Sequence, residues 1–177
     1  LGLPNEDAQG VLPSIRFLKA FNMGGEELAR GRVGVVGGGN SAVDAARMAL
    51  RQKDVTEVTI YYRRSMNEMP AFAEEIEAAQ EEGVRIEALT APVRILTQGG
   101  RLTGIECITN RLGEIDAGGR RAPVPVAGSE RTVPLDTLIV AISEGSDTDC
   151  ISVAGANRIE TTRQGTVQVD RETLLTN

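Results

Sequence analysis

The chain reads as an α/β protein in which a parallel sheet carries helices on both faces and an antiparallel β-meander is inserted into it. Three observations predict this. Short apolar, β-branched runs recur at Val33–Val36, Val58–Tyr62 and Thr137–Ile142, the pattern of strands buried on both faces. Between the first two lies an alanine-rich segment with Ala42, Ala46, Ala49 and Leu50 on one helical face. From Val93 to Val133 the pattern changes to short alternating strands divided by Gly-rich turns. With 177 residues and 41% hydrophobic composition there is enough chain for one such core and too little for two large ones, so a single domain is expected over 1–177.

The elements follow in order. Pro13 to Phe21 reads as a short helix with Ile15, Leu18 and Phe21 on one face, closed by Met23-Gly24-Gly25. Arg32 to Val36 forms a strand that runs into Gly37-Gly38-Gly39 and the alanine-rich helix, and Val58 to Tyr62 completes a βαβ unit. Pro70 is expected to start the next helix, with Phe72, Ile76 and Ala79 toward the sheet. Glu74, Glu75, Glu77, Glu81 and Glu82 form its solvated face, and Gly83 caps it. Val84 to Leu89 is the third strand, and the meander is expected as Val93–Leu96, Leu102–Thr109 and Arg120–Val126. The run from Thr137 returns to the parallel sheet, and Gly165 to Asp170 reads as a hairpin strand in the tail.

The βαβ unit carries the chemistry. Gly37 permits a tight strand-to-helix turn, and Gly39 lets the backbone approach a ligand with no Cβ in the way. Ala42 completes a G-x-G-x-x-A pattern, so the amides at the helix start can face a pyrophosphate, as in a Rossmann-like dinucleotide site. At the end of the second strand, where an acidic residue would select NAD, stand Arg63 and Arg64. A guanidinium binds a phosphate and a carboxylate repels one, so this pair points to the 2′-phosphate of NADP(H); in another context two such arginines are only surface charges.

Composition narrows the alternatives. The net charge of −6 offers no broad basic surface for nucleic acid or anionic membranes, and neither a membrane-spanning run nor a secretory leader is read, so a cytoplasmic location is expected. Cys107 and Cys150 form no C-x-x-C, and Cys107 reads as a buried strand residue. With no histidine, the commonest general base and metal ligand is missing, so no catalytic side chain and no metal ligand is assigned. Hydride transfer does not need one, because the cofactor carries that chemistry.

The segments Gly37-Gly38-Gly39-Asn40-Ser41-Ala42-Val43-Asp44, Tyr62-Arg63-Arg64-Ser65, Glu68-Met69-Pro70-Ala71, Glu81-Glu82-Gly83-Val84 and Leu89-Thr90-Ala91-Pro92-Val93 carry a resemblance. So do Asp116-Ala117-Gly118-Gly119-Arg120-Arg121, Pro125-Val126-Ala127-Gly128-Ser129 and Asp136 to Ile142. Together they resemble the NADPH-binding domain of the flavoprotein family that includes the small subunit of bacterial glutamate synthase. The resemblance implies that NADPH passes a hydride to FAD on a second domain and that electrons leave through iron–sulfur clusters toward a partner domain or subunit.

It also implies that Gly37 to Ala42 hold the pyrophosphate, with Asn40 and Ser41 adding side-chain hydrogen bonds, and that Arg63 and Arg64 clamp the 2′-phosphate. Ala141, Ile142 and Ser143 lie near the nicotinamide, Ser143 standing where the family commonly has glycine. Only one Gly-rich βαβ is present, so FAD belongs to the parent protein, and residues 1–25 and 160–177 are expected as connections to its FAD domain. Asp44 is read either as a helix-dipole partner in the first turn or as a nicotinamide-side residue, and Glu144 either as a solvated loop carboxylate or as a functional group near the site. Two other readings remain: a disulfide oxidoreductase of the thioredoxin-reductase type, which needs a C-x-x-C that this chain lacks, and an NADP(H)-sensing module without catalysis.

Overall fold

A computed structural model describes residues 1–116, 119–142, 159–162 and 165–176. By its internal contacts the chain divides into Leu1–Ile142 and Ser143–Asn177. In the first unit, strand β1 (Val11–Pro13) leads into helix α1 (Ser14–Gly24), and β2 (Gly31–Val36) into α2 (Asn40–Leu50). There follow β3 (Val55–Tyr61), a 3₁₀ turn at Met66–Glu68, α3 (Ala73–Glu81) and β4 (Arg85–Glu87). The chain then builds β5 (Thr90–Gln98), β6 (Arg101–Ile115), β7 (Arg121–Pro125) and β8 (Arg131–Pro134), and returns as β9 (Thr137–Val140).

Five strands form an all-parallel sheet in the order β1-β9-β2-β3-β4. The chain leaves β2 toward β3 on one side and comes back as β9 on the other, so the carboxyl end of β2 lies at a switch point where loops diverge and a crevice opens. Strand alternation sorts the core. Val33, Val35, Val58, Ile60 and Ile139 face Phe17 of α1, the alanines of α2, and Ile76 and Ala79 of α3. Val36, Tyr61 and Leu138 face Ile95, Leu102, Ile105 and Cys107 of the antiparallel strands.

Among the described residues the three helices therefore cover one face of the parallel sheet, and the antiparallel sheet covers the other, where further helices were expected. Ile95, Ile105 and Leu138 are fully buried across this second interface, each contributing roughly 1.5–3 kcal/mol. The meander is thus a structural layer of the unit. Cys107 sits within it, and burial pushes its thiol up to about 12; an inert packing role follows. Cys150 lies outside the described residues.

Several elements differ from expectation. Residues 1–25 supply an edge strand and a helix of this sheet: Val11, Leu12 and Pro13 pair with Leu138, Ile139 and Val140. A three-residue strand is too short for periodicity, and its proline is tolerated only because the strand is at the edge. Helix α3 begins at Ala73, after extended residues from Met69, so Phe72 is 64% exposed and does not face the sheet. Strand β8 had no separate signal. In the tail, Thr161 and Val167 form an isolated antiparallel bridge, and no continuous strand runs from Gly165 to Asp170. No helix among the described residues is long and apolar enough to cross a membrane.

The glutamate face of α3 is only partly a solvated one. Arg47 of α2 pairs with Glu75 and, at 2.6 Å, with Glu82, and Arg51 reaches Glu82 at 3.0 Å. The hydrogen bonds from Arg47 and then Arg51 hold the Glu82 carboxyl down at about 2. Its folded value lies below the ordinary 4.5, so its contribution to stability is present above that pH and is lost as pH falls toward about 2. Glu82→Gln should flatten the acid limb of stability over that window and leave the change of stability with pH unaltered above about 5.5 (one unit beyond the titration), measured by thermal melts across pH.

Candidate functional site

The site forms where β2 ends. Val36 hands over to Gly37, whose backbone sits at φ +151° beside the end of β9. A Cβ at Gly37 would overlap the Ala141 carbonyl, and the Ala141 amide donates to the Val36 carbonyl at 2.8 Å. Only glycine makes this turn. At Gly38 a Cβ would overlap the ring of Tyr62, which is 6% exposed and donates its hydroxyl to the Glu68 carbonyl at 2.7 Å. Two of the three glycines are therefore required by the protein itself.

Gly39 is different. A Cβ there would find only Pro70 Cγ, at 4.0 Å, so nothing in the fold demands glycine. No acceptor among the described residues takes the amides of residues 38 to 41. Helix α2 starts here with no side-chain cap and no acidic residue in its first turn. Four unengaged amides, a helix N-terminus and a backbone stripped of its Cβ fit a pyrophosphate. Ala42, with Ala45, Ala46 and Ala49, is fully buried and brings α2 close against β2 and β3.

The chain after β3 folds back over this loop. The Ala71 amide donates to the Gly38 carbonyl at 3.1 Å, and the Phe72 amide donates to Asn40 Oδ1 at 3.0 Å. Asn40 thus spends its oxygen on the chain, and its Nδ2 remains as a donor. Ser41 is exposed at the helix start. Asp44 is exposed in the second turn of α2, not the first, which removes the dipole-partner reading.

The structure separates Arg63 from Arg64. Arg63 is exposed at the carboxyl end of β3. Arg64 is 3% exposed, with Nε donating to the Arg121 carbonyl at 2.7 Å and Nη2 to Asp116 Oδ2 at 2.6 Å. Next to them Glu68 accepts from Ser65 Oγ at 3.0 Å and from the Arg121 amide at 3.2 Å. Burial pushes the Glu68 carboxyl up, but these hydrogen bonds and the charge of Arg64 outweigh it and hold it below its ordinary value. Ala141 and the exposed Ile142 follow β9 on the other side of Gly37. Ser143 and Glu144 lie outside the described residues.

Sequence reasoning missed Tyr62, Asn110 and Asp116 as parts of this arrangement. An aromatic residue at the end of a strand reads as core, and nothing local ties Asp116 to a residue 52 positions earlier.

The chain matches the family described as pyridine nucleotide-disulphide oxidoreductase over residues 1–176. It belongs to that family. The family is enzymatic and uses NADP(H) and FAD. The chain is 40% identical over 179 residues to the NADP(+)-dependent formate dehydrogenase subunit beta of Moorella thermoacetica, covering 99% of this chain and 25% of that protein. It is 40% identical over 152 residues to the glutamate synthase [NADPH] small chain of Escherichia coli, covering 79% of this chain and 32% of that one. The chain thus spans about a quarter to a third of these relatives.

Mycobacterium tuberculosis FprA in complex with NADPH superposes with a TM-score of 0.69 at 18% identity, over 84% of this chain and 48% of that one. That likeness confirms the α/β architecture with its parallel and antiparallel sheets. The expected family is therefore the one found.

The two glycines beside each other should respond differently to alanine. Gly38→Ala must displace the Tyr62 ring and should cost about 1–3 kcal/mol in denaturant unfolding. Gly39→Ala should cost about 1 kcal/mol or less, the loss of a better N-cap residue, because it meets no neighbour.

Proposed function

We propose that this chain binds NADPH across the switch point and presents the nicotinamide for hydride transfer to a flavin held outside the described residues, within a larger NADPH-dependent oxidoreductase. The observation that carries the reading is the loop at Gly39, where four amides and an open backbone have no use within the fold. Those amides and Asn40 Nδ2 hold the pyrophosphate, Ser41 adds its hydroxyl, and Ala42 keeps α2 close enough for the helix end to contribute. Arg63 at the end of β3 meets the 2′-phosphate. Ala141 and Ile142 lie toward the nicotinamide end.

Nicotinamide supplies the hydride, and the chain's own part is to bind, orient and select. No side chain needs to exchange a proton, which agrees with a sequence devoid of histidine. Further steps in this reading are transfer to FAD on another domain of the parent protein and onward passage to iron–sulfur clusters of a partner domain or subunit in the cytoplasm. The relatives named above support it, being subunits of NADP-linked redox enzymes by their names.

Titration of the purified chain should give NADPH binding about 10-fold or more tighter than NADH, the range of one or two charge-assisted contacts, and Gly39→Ala should weaken both nucleotides together. Equal affinities for the two nucleotides would overturn the choice of NADPH. The chain should also be colourless; a bound yellow flavin would show that the flavin site lies within it.

A further inference from the structure

Three successive carbonyls at the end of β3 are held by the antiparallel sheet and the turn that leads into it. Tyr62 O accepts from the Thr90 amide at 2.9 Å, Arg63 O from Asn110 Nδ2 at 3.0 Å, and Arg64 O from the Leu89 amide at 2.8 Å. Asn110 is 4% exposed, and its own amide donates to the Leu89 carbonyl at 2.7 Å, so the backbone from which its side chain reaches Arg63 is held. The backbone that carries Arg63 is therefore set by β5 and β6, not by the βαβ unit alone.

The guanidinium of Arg64 points into the same layer. It bridges Asp116, at the end of β6, and the carbonyl of Arg121, at the start of β7, while the Arg121 amide rests on Glu68. Its charge is balanced at contact distance by Asp116, and almost none of it reaches solvent. A phosphate arriving from outside would meet a neutralised pair and would have to strip a buried cation of its partners. Arg63 is exposed, and no carboxylate among the described residues forms an ion pair with it.

We propose that Arg63 alone contacts the 2′-phosphate, and that Arg64 and Asn110 are positioning residues through which the antiparallel sheet aims it. This rests on the reading of the chain as an NADPH binder. The meander is then part of the device that distinguishes NADPH from NADH. Arg64 ties Asp116, after β6, and the start of β7 to the end of β3, and Asn110 fixes the peptide from which the Arg63 side chain departs.

The readout is the ratio of NADH to NADPH dissociation constants, measured on the full chain by calorimetry. Arg63→Gln should reduce the ratio about 10-fold or more, through weaker NADPH binding. Asn110→Ala keeps every arginine and should still lower the ratio about 3-fold or more at unchanged NADH affinity, as expected when a charge-assisted contact is misaligned. A purely structural role would lower the melting temperature and leave the ratio where it was.

Arg64→Lys retains the positive charge that a phosphate ligand needs and cannot span Asp116 and Arg121 together, so its ratio should fall with that of Arg64→Gln. A ratio preserved in Arg64→Lys and lost in Arg64→Gln would make Arg64 a direct ligand and overturn the proposal. So would an unchanged ratio in Asn110→Ala, a variant that also decides the matter if the Arg64 variants do not fold. A ratio of one in the unsubstituted chain would instead overturn the NADPH reading. A high ratio insensitive to Arg63→Gln leaves that reading intact and removes only the role given to Arg63.

Discussion

The contact between Gly38 and the ring of Tyr62 is the constraint on which the site depends. The ring occupies the space that a side chain at residue 38 would need, and it brings the end of β3 directly over the turn that ends β2. From there the Tyr62 hydroxyl holds the Glu68 carbonyl, the Gly38 carbonyl receives the Ala71 amide, and Asn40 receives the Phe72 amide. Two loops that follow different strands become one surface. The amides of residues 38 to 41 are left unused because this packing satisfies the carbonyls around them and not the amides.

A second constraint comes from the layer arrangement. A parallel sheet must be covered on both faces, and here helices cover one face and an antiparallel sheet the other. An antiparallel sheet can present polar side chains and paired edges to the loops at the end of the parallel strands. Asn110 and Asp116 are such groups, and both reach the end of β3. The same layer that buries Ile95 and Ile105 therefore also shapes the end of β3 beside the glycine turn.

Electrostatics divides the two arginines that adjoin in sequence. Neighbouring residues leaving the end of a strand point to opposite sides, and in this chain one side is solvent while the other is the antiparallel sheet. Arg63 is left exposed, whereas Arg64 spends its charge on Asp116 and the Arg121 carbonyl. Family membership over residues 1–176 gives the pyridine-nucleotide setting for this division.

The sequence by itself determined the βαβ unit, the return of β9 and the existence of a meander, because unbroken β-branched runs, alanine spacing and glycine-rich turns act over a few residues. It also marked residues 37 to 42 and the arginine pair. It could not show that β1 joins the sheet, since three residues carry no period, nor that α3 starts at Ala73 with Phe72 outside. Above all, it could not tell Gly39, which the packing does not demand, from the Gly37 and Gly38 that serve the fold, or Arg63 from Arg64. Those distinctions rest on Tyr62, Ala141, Asn110 and Asp116, residues 24 to 104 positions from the glycines and arginines they contact, and only tertiary packing brings them together.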